Sequence, residues 1–310
     1  MIAMRYFKKI SSLIIMCALL FACERYEEYR YDYEYSAVYF GSQKPLRTLV
    51  TRESQSTLDF KLGVVYAGVL ENKTDQWATF EIDPSLLETV NGASAFSLLP
   101  EDWYDFDITD NKIIIPKGKF MGDFTIKIDK VKFTTDPVSL GTTYALPVRI
   151  LDSSADSILV GDNVIPGKNY TVLVVKYISE NSGTYFVRGE QIELNTQGTE
   201  IEGSKIIYSH TDWSRNKTRV LTTQSLSECE MAGVGSEDSE KMKITFGTGH
   251  TIALSSSSLH VTDLGSTYDS ARDEYHFRYS YIKSGKTFQV DEYLKQRNDP
   301  ENELRFEEWN

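Results

Sequence analysis

Glu274-Tyr-His-Phe-Arg-Tyr-Ser-Tyr-Ile282 decides the fold class. Tyr275, Phe277, Tyr279 and Tyr281 alternate with His276, Arg278 and Ser280, so one face of an extended chain is aromatic and the other polar. Successive side chains of a strand point to opposite faces, and an antiparallel sheet with one face in a core needs this alternation. Ser284-Gly285-Lys286 then turns the chain into residues 287–291, and residues 281–289 read as a hairpin.

Working outward, the same signals recur. Residues 183–188, 205–209, 218–223, 241–246 and 259–263 are short runs rich in Val, Ile, Thr, Tyr and Phe. Upstream, strands are expected at 37–40, 57–65, 77–82, 112–115, 124–128, 145–151 and 170–177, punctuated by Gly, Asn, Asp and Pro. In the last of these, Leu173 and Val175 lie on one face and Val172 and Val174 on the other. A strand apolar on both faces is one packed from both sides. The one helical candidate is 84–90, with Pro84 where a first-turn proline is tolerated. Seven strands over this length suggest an immunoglobulin-like β-sandwich. Ser179-Glu180-Asn181-Ser182-Gly183 is polar and turn-rich, and marks a boundary. The reading is all-β: a sandwich over 36–178 and a second antiparallel β domain, barrel-like or sandwich, over 183–310.

The N-terminus carries an address. Arg5, Lys8 and Lys9 precede an apolar stretch over 10–21, then Leu20-Phe-Ala-Cys23. A charged start, a short apolar core and a small residue before the cleavage point read as a signal peptide over 1–22. The apolar run is too short to span a hydrocarbon core of ~30 Å. Residues 23–35, mostly Tyr, Glu, Arg and Asp, read as a tether. Loss of residues 1–22 removes three positive charges and moves the net charge from −12 to −15. So acidic a chain argues against nucleic acid and against a polybasic membrane patch. Cys17 leaves with the signal, so only Cys229 would remain as a thiol, expected buried and structural.

Several stretches resemble known patterns. Leu-Phe-Ala-Cys23 resembles the bacterial lipobox, which implies lipidation of Cys23 and attachment to the membrane through the lipid alone. Glu24-Arg-Tyr-Glu-Glu28 resembles the acidic export signals of Bacteroidetes lipoproteins, which implies the outer face of the outer membrane. Residues 33–49, Lys112-Ile-Ile-Ile-Pro-Lys-Gly118 and 144–151 resemble the N-terminal immunoglobulin-like domain of Bacteroidetes surface lipoproteins from polysaccharide-utilisation loci. Residues 268–281 with Gly285-Lys286 resemble the C-terminal β domain that commonly follows it. The resemblance implies a cell-surface lipoprotein that binds polysaccharide or oligosaccharide beside an outer-membrane glycan importer complex.

Catalytic motifs are scarce. The four histidines, His210, His250, His260 and His276, fit no zinc pair. Neither a Gly-x-Ser-x-Gly elbow nor a phosphate loop occurs. Asp105-Phe-Asp107 with Asp110 comes nearest to a glycosidase motif, but position 109 is Thr where one chitinase-like family has Glu. A turn before residues 112–115 accounts for it. The chain is therefore expected to be no enzyme and to need no cofactor or metal. Binding is better motivated, because aromatic rings stack on the C–H faces of sugars and carry few rotatable bonds. Tyr208-Ser-His-Thr-Asp-Trp-Ser-Arg-Asn216 mixes aromatics with hydrogen-bonding groups in a loop, which nominates Tyr208, His210, Asp212, Trp213 and Arg215. Trp103 and Tyr104 form a second candidate; Trp77 is expected in the core, and Trp309 as a cap. The alternative is an adhesin-like or structural lipoprotein with no glycan site.

Cys23→Ala should abolish incorporation of labelled palmitate and shift the protein out of the membrane fraction. Unchanged labelling would show that the anchor is not at Cys23.

Overall fold

The computed structural model describes residues 32–162 and 166–310. The expected signal segment, Cys23 and the expected tether as far as residue 31 lie outside them. The first eleven strands are β1 (Ala37–Phe40), β2 (Pro45–Thr51), β3 (Thr57–Ala67), β4 (Gln76–Ile82), β5 (Ser97–Leu98), β6 (Tyr104–Phe106), β7 (Lys112–Ile115), β8 (Met121–Asp129), β9 (Tyr144–Ser153), β10 (Ser157–Ile158) and β11 (Tyr170–Ser179). One sheet runs β10-β1-β3-β8-β6; the facing sheet includes β2-β11-β9-β4-β7, with β5 beside β9. The first strand is split between them. β1 pairs antiparallel with β3, whereas β2 pairs parallel with β11. Val38, Phe60, Val64 and Phe124 of one sheet meet Phe80, Leu146, Leu173 and Val175 of the other, which is the inward alternation of an immunoglobulin-like sandwich. β11 is covered on both faces, as its sequence requires: Leu173 and Val175 enter that core, and Val172 and Val174 enter a second cluster outside it.

Three local expectations change. Trp77 shares a face with Thr79, but the core face of β4 is the one bearing Ala78 and Phe80. Its indole therefore lies outside, with Lys112 Nζ 4.6 Å from the ring centre. The helix expected at 84–90 is the single turn Leu86–Thr89. An unexpected helix, Lys130–Thr135, forms from a β-branched sequence. Asp129 caps it by accepting from Lys132 N at 3.0 Å, and Phe133 is wholly buried, so capping and packing override propensity.

The remaining sheet holds β12 (Gly183–Leu194), β13 (Ile206–Tyr208), β14 (Lys217–Thr223), β15 (Glu228–Val234), β16 (Glu237–Gly247), β17 (Thr251–Ser255), β18 (His260–Asp263), β19 (Thr267–Asp269), β20 (Glu274–Lys283) and β21 (Lys286–Gln296). Its order is β17-β16-β15-β14-β12-β21-β20-β18, with β13 beside β12 and β19 beside β20. The sheet curls until β17 lies against β18, making a nearly closed barrel. Phe277, Tyr279 and Tyr281 point inside. So does an ion pair, Arg219–Glu292 at 3.0 Å, both side chains almost fully buried. A buried pair is tolerable only when its other valences are met. Here Tyr208 and Tyr279 each donate to Glu292 at 2.9 Å, and Arg219 also donates to Gly235 O, so most of these valences are met and Arg219 Nε is left unpaired. Cys229 is buried in the same core; desolvation pushes its thiol up to about 12, which makes it inert.

The end of the chain leaves the barrel. After β21 a turn of helix, Pro300–Glu303, leads to β22 (Glu307–Glu308), which pairs antiparallel with β2 in the sandwich. Trp309 seats its ring against Phe96 at 4.9 Å and donates Nε1–H to Val172 O at 2.7 Å. Residues 183–310 thus do not form one unit. The last residues complete the outer core of the sandwich, and Trp309 caps that.

Trp309→Ala removes a large buried ring and a backbone partner. It should lower the stability of the sandwich by about 3–5 kcal/mol, read as a lower urea midpoint. Equal midpoints would show that Trp309 is not seated there.

Candidate functional site

The loop nominated by sequence is mostly self-contained. Asp212 caps the turn Trp213–Arg215, accepting from Ser214 N at 3.0 Å and Ser214 Oγ at 2.8 Å. The Ser214 hydrogen bonds hold its carboxyl below the usual range. His210 Nδ1 accepts from Asp212 N at 3.0 Å, and the Asn216 side chain donates to His210 O at 2.9 Å. Tyr208 turns inward to Glu292, and burial pushes its hydroxyl pKa up. Trp213 is half-buried under the Arg188 guanidinium, 4.0 Å from the ring centre, and Arg215 is exposed beside it. Thus His210 and Asp212 shape the loop, Tyr208 serves the barrel interior, and Trp213 and Arg215 stay at the surface.

Trp103 and Tyr104 belong to the sandwich. Trp103 meets Tyr144 and Phe133 edge-on at 5.3 and 6.3 Å. Tyr104 packs beside Phe106 at 5.3 Å, and burial raises its hydroxyl pKa. Both rings face core partners and are not brought to the loop at 208–216.

A different set of residues converges where the barrel mouth meets the sandwich. A cleft of about 310 Å³ is bounded on the barrel side by Phe246, His250, Tyr268 and Tyr275, and on the other by Arg52, Glu180 and Asp299. The rings form a continuous wall. His250 lies 4.9 Å from Tyr268, Tyr268 4.8 Å from Tyr275, and Tyr275 5.6 Å from Phe246. Two hydroxyls fix it: Tyr275 donates to Asn181 Oδ1 at 2.6 Å and Tyr268 to Asp273 Oδ1 at 2.7 Å. Burial first, and Asp273 second, push the Tyr268 hydroxyl up to about 12, so it remains a donor at neutral pH. His250 and Asp273 both have positive φ, 62° and 55°. Asp and His are among the side-chain-bearing residues that enter this region most readily, and both close local turns here. A smaller lobe of about 230 Å³ continues the cleft past Lys130 and Thr248.

The opposite wall is polar and fixed. Arg52 Nη2 reaches both oxygens of Asp299 at 2.9 Å and Glu301 at 3.0 Å. Lys130 Nζ donates to the carbonyls of Arg52 at 2.6 Å and Gln55 at 2.9 Å. Both cations are thus engaged by the protein itself, while the carboxylates keep further lone pairs for hydroxyl donors. One wall stacks and the other accepts hydrogen bonds, a combination suited to a polyhydroxylated ring. Among the described residues no cluster of His, Cys, Asp or Glu is placed to hold a metal ion. Sequence reasoning missed this cleft because its residues come from turns and strand ends far apart in the chain. The available signal was His250 following Gly247-Thr-Gly249.

The hydrogen bond from Arg52 holds the Asp299 carboxyl below its ordinary value. A depressed carboxylate contributes stability that is complete above its unfolded pKa, about 4, and is lost as pH falls through the lower folded value. The stability difference between the wild type and Arg52→Ala should therefore be present at neutral pH and shrink once the pH is brought below the ordinary aspartate value of about 4. A difference unchanged at that pH would show that the pairing is not its source.

Comparisons with known proteins agree with this architecture. Residues 31–157 match a family model whose description reads "-like, N-terminal domain". No curated protein matches the chain in sequence. A crystal structure of a Bacteroides ovatus protein of unknown function is 20% identical over 86% of this chain and 95% of its own, with a TM-score of 0.69. A second B. ovatus protein of unknown function is 16% identical over 84% of this chain and 94% of its own, at a TM-score of 0.39. An auxiliary nutrient binding protein from Bacteroides thetaiotaomicron is 12% identical over 80% of this chain and 89% of its own, at 0.36. The first shares the fold along nearly its whole length; the other two are too distant to add to that. This chain therefore joins a sandwich whose residues 31–157 match that family model to a barrel, in an arrangement also found in Bacteroides.

Proposed function

We propose that this protein is a non-catalytic glycan-binding lipoprotein of the bacterial outer membrane. It would face the cell exterior and serve an outer-membrane glycan importer complex. The observation that carries the binding role is the ring wall of His250, Tyr268 and Tyr275 opposite a carboxylate-lined wall in one cleft. A sugar would lay its C–H face on the rings and donate its hydroxyls to Asp299, Glu180 and Asp273. Arg52 and Lys130 already have partners, so the cleft offers no unengaged cation to an anionic sugar. The ligand class is accordingly neutral glycan.

Absence of catalysis belongs to the same proposal. Glycoside hydrolysis needs a carboxylic acid with a raised pKa to protonate the leaving oxygen. Asp299, in the cleft, is displaced the other way by Arg52. The placement at the membrane rests on Cys23 and on Glu24, Glu27 and Glu28 behind it.

Native gels cast with starch, yeast mannan, xyloglucan, mixed-linkage β-glucan or pectin test the binding. The full chain in detergent should be retarded by at least one neutral polysaccharide and not by pectin, and Tyr268→Ala should restore free mobility. Unretarded migration in all the gels would overturn the proposal.

A further inference from the structure

A second concave surface lies on the outer face of the barrel. Arg188 on β12 stands opposite Tyr293 on β21, and Tyr293 opposite His276 on β20. Their neighbours Glu292, Leu294 and Phe277 point into the barrel, so this row points out. The His276 and Tyr293 rings are parallel, 4.2 Å apart and inclined by 8°. The Arg188 guanidinium lies between Tyr293, at 5.7 Å, and Trp213, at 4.0 Å. Four planar groups from three strands and a loop thus form one pile, and each restricts the rotamers of the next.

Beside the pile is a groove of about 540 Å³, lined by Arg188, Ser209, Arg272, Glu274, Asp291 and Tyr293. Its floor holds Glu274, only 8% exposed. The cations nearest Glu274 are Arg188 Nη2 at 3.6 Å and Lys295 Nζ at 3.5 Å. Both distances exceed the 2.7–2.9 Å or so of a charge-assisted hydrogen bond. A nearly buried carboxylate held this loosely retains lone pairs for a donor entering the groove. The ring faces are largely used on one another, so a ligand in this groove would be held by hydrogen bonds rather than by stacking.

The two surfaces share one turn. Arg272 and Glu274 line the groove, and Asp273 between them lines the cleft. Consecutive Cα atoms are ~3.8 Å apart, so only the width of the chain separates the two linings here. The ridge is pinned on both sides. Lys295 Nζ donates to Arg272 O at 2.9 Å, and Tyr268 to Asp273 Oδ1 at 2.7 Å.

We infer that the groove is a second subsite and that the ligand is a glycan chain long enough to cross the turn at residues 269–274 and occupy both surfaces. This rests on the cleft binding sugar, as proposed above. A chain held at one surface meets the other at high effective concentration, which raises affinity without any new type of contact.

Calorimetry on the full chain in detergent tests the inference. The probes are dimer, tetramer and octamer fractions from partial hydrolysis of whichever polysaccharide retards the protein. Affinity should rise at least about tenfold from dimer to octamer. Glu274→Gln, which is isosteric, and Arg272→Ala, at an exposed position, should each weaken octamer binding several-fold and leave dimer binding unchanged. Equal affinity for all three lengths, or groove variants with unaltered octamer binding, would overturn the second subsite while the cleft stands. No binding by any fraction would overturn both readings.

Discussion

The chain passes from sandwich to barrel through three residues, Glu180, Asn181 and Ser182, and all six of their backbone polar groups are hydrogen-bonded. The amides donate to Thr51 O, Ser179 Oγ and Ser179 O. The carbonyls accept from Gln296 Nε2, Tyr185 OH and again Gln296 Nε2. A flexible linker would leave these groups to water. Around the passage, Ser179 N donates to Thr223 Oγ1 and Ser182 Oγ to Leu221 O, so β14 of the barrel grips the end of β11. The cleft between the two units therefore exists as a fixed shape. A ligand entering it need not pay the ordering cost that a hinged site imposes.

Much of the fold could be read from residues alone, for a definite reason. Alternation at 274–282 and apolar faces on both sides of 170–177 follow from the geometry of a strand and survive in the structure unchanged. β15 and β17 escaped notice although they alternate, Cys229 and Met231 against Glu228 and Glu230, and Ile252 and Leu254 against Thr251, Ala253 and Ser255, because they hold few of the β-branched and aromatic residues that mark a strand. The helix Lys130–Thr135 was hidden by its β-branched residues; a single aspartate cap and one buried Phe outweigh them. Pairing partners were beyond reach in principle, since nothing local says that Glu307 will lie beside Leu46.

The candidate site was less legible, and for a related reason. Sequence reasoning favours aromatics that sit among polar residues, as in the loop at 208–216. That loop proves to be ordered by its own Asp212 and Asn216, with Tyr208 committed to the buried Glu292. Tyr275 belongs to the most regular alternation in the chain and so reads as core. It nevertheless stands at the strand end, where the barrel opens, and its hydroxyl reaches across to Asn181. Which end of a strand is open depends on how ten strands curl, and that is a property of the whole sheet.

The return of the C-terminus to the sandwich has a mechanical consequence. The barrel is suspended at two points, through the passage at 180–182 and through the segment from Asp299 to Trp309 that ends beside β2. A body held by one strand can swivel about it, and a load on it is borne by that strand alone. Held by two, it resists torsion, and tension on the barrel divides between a covalent link inside β-structure and a docked indole. A polymer tugging on the outer wall would thus pull against both supports at once, while the mouth facing the sandwich keeps its width.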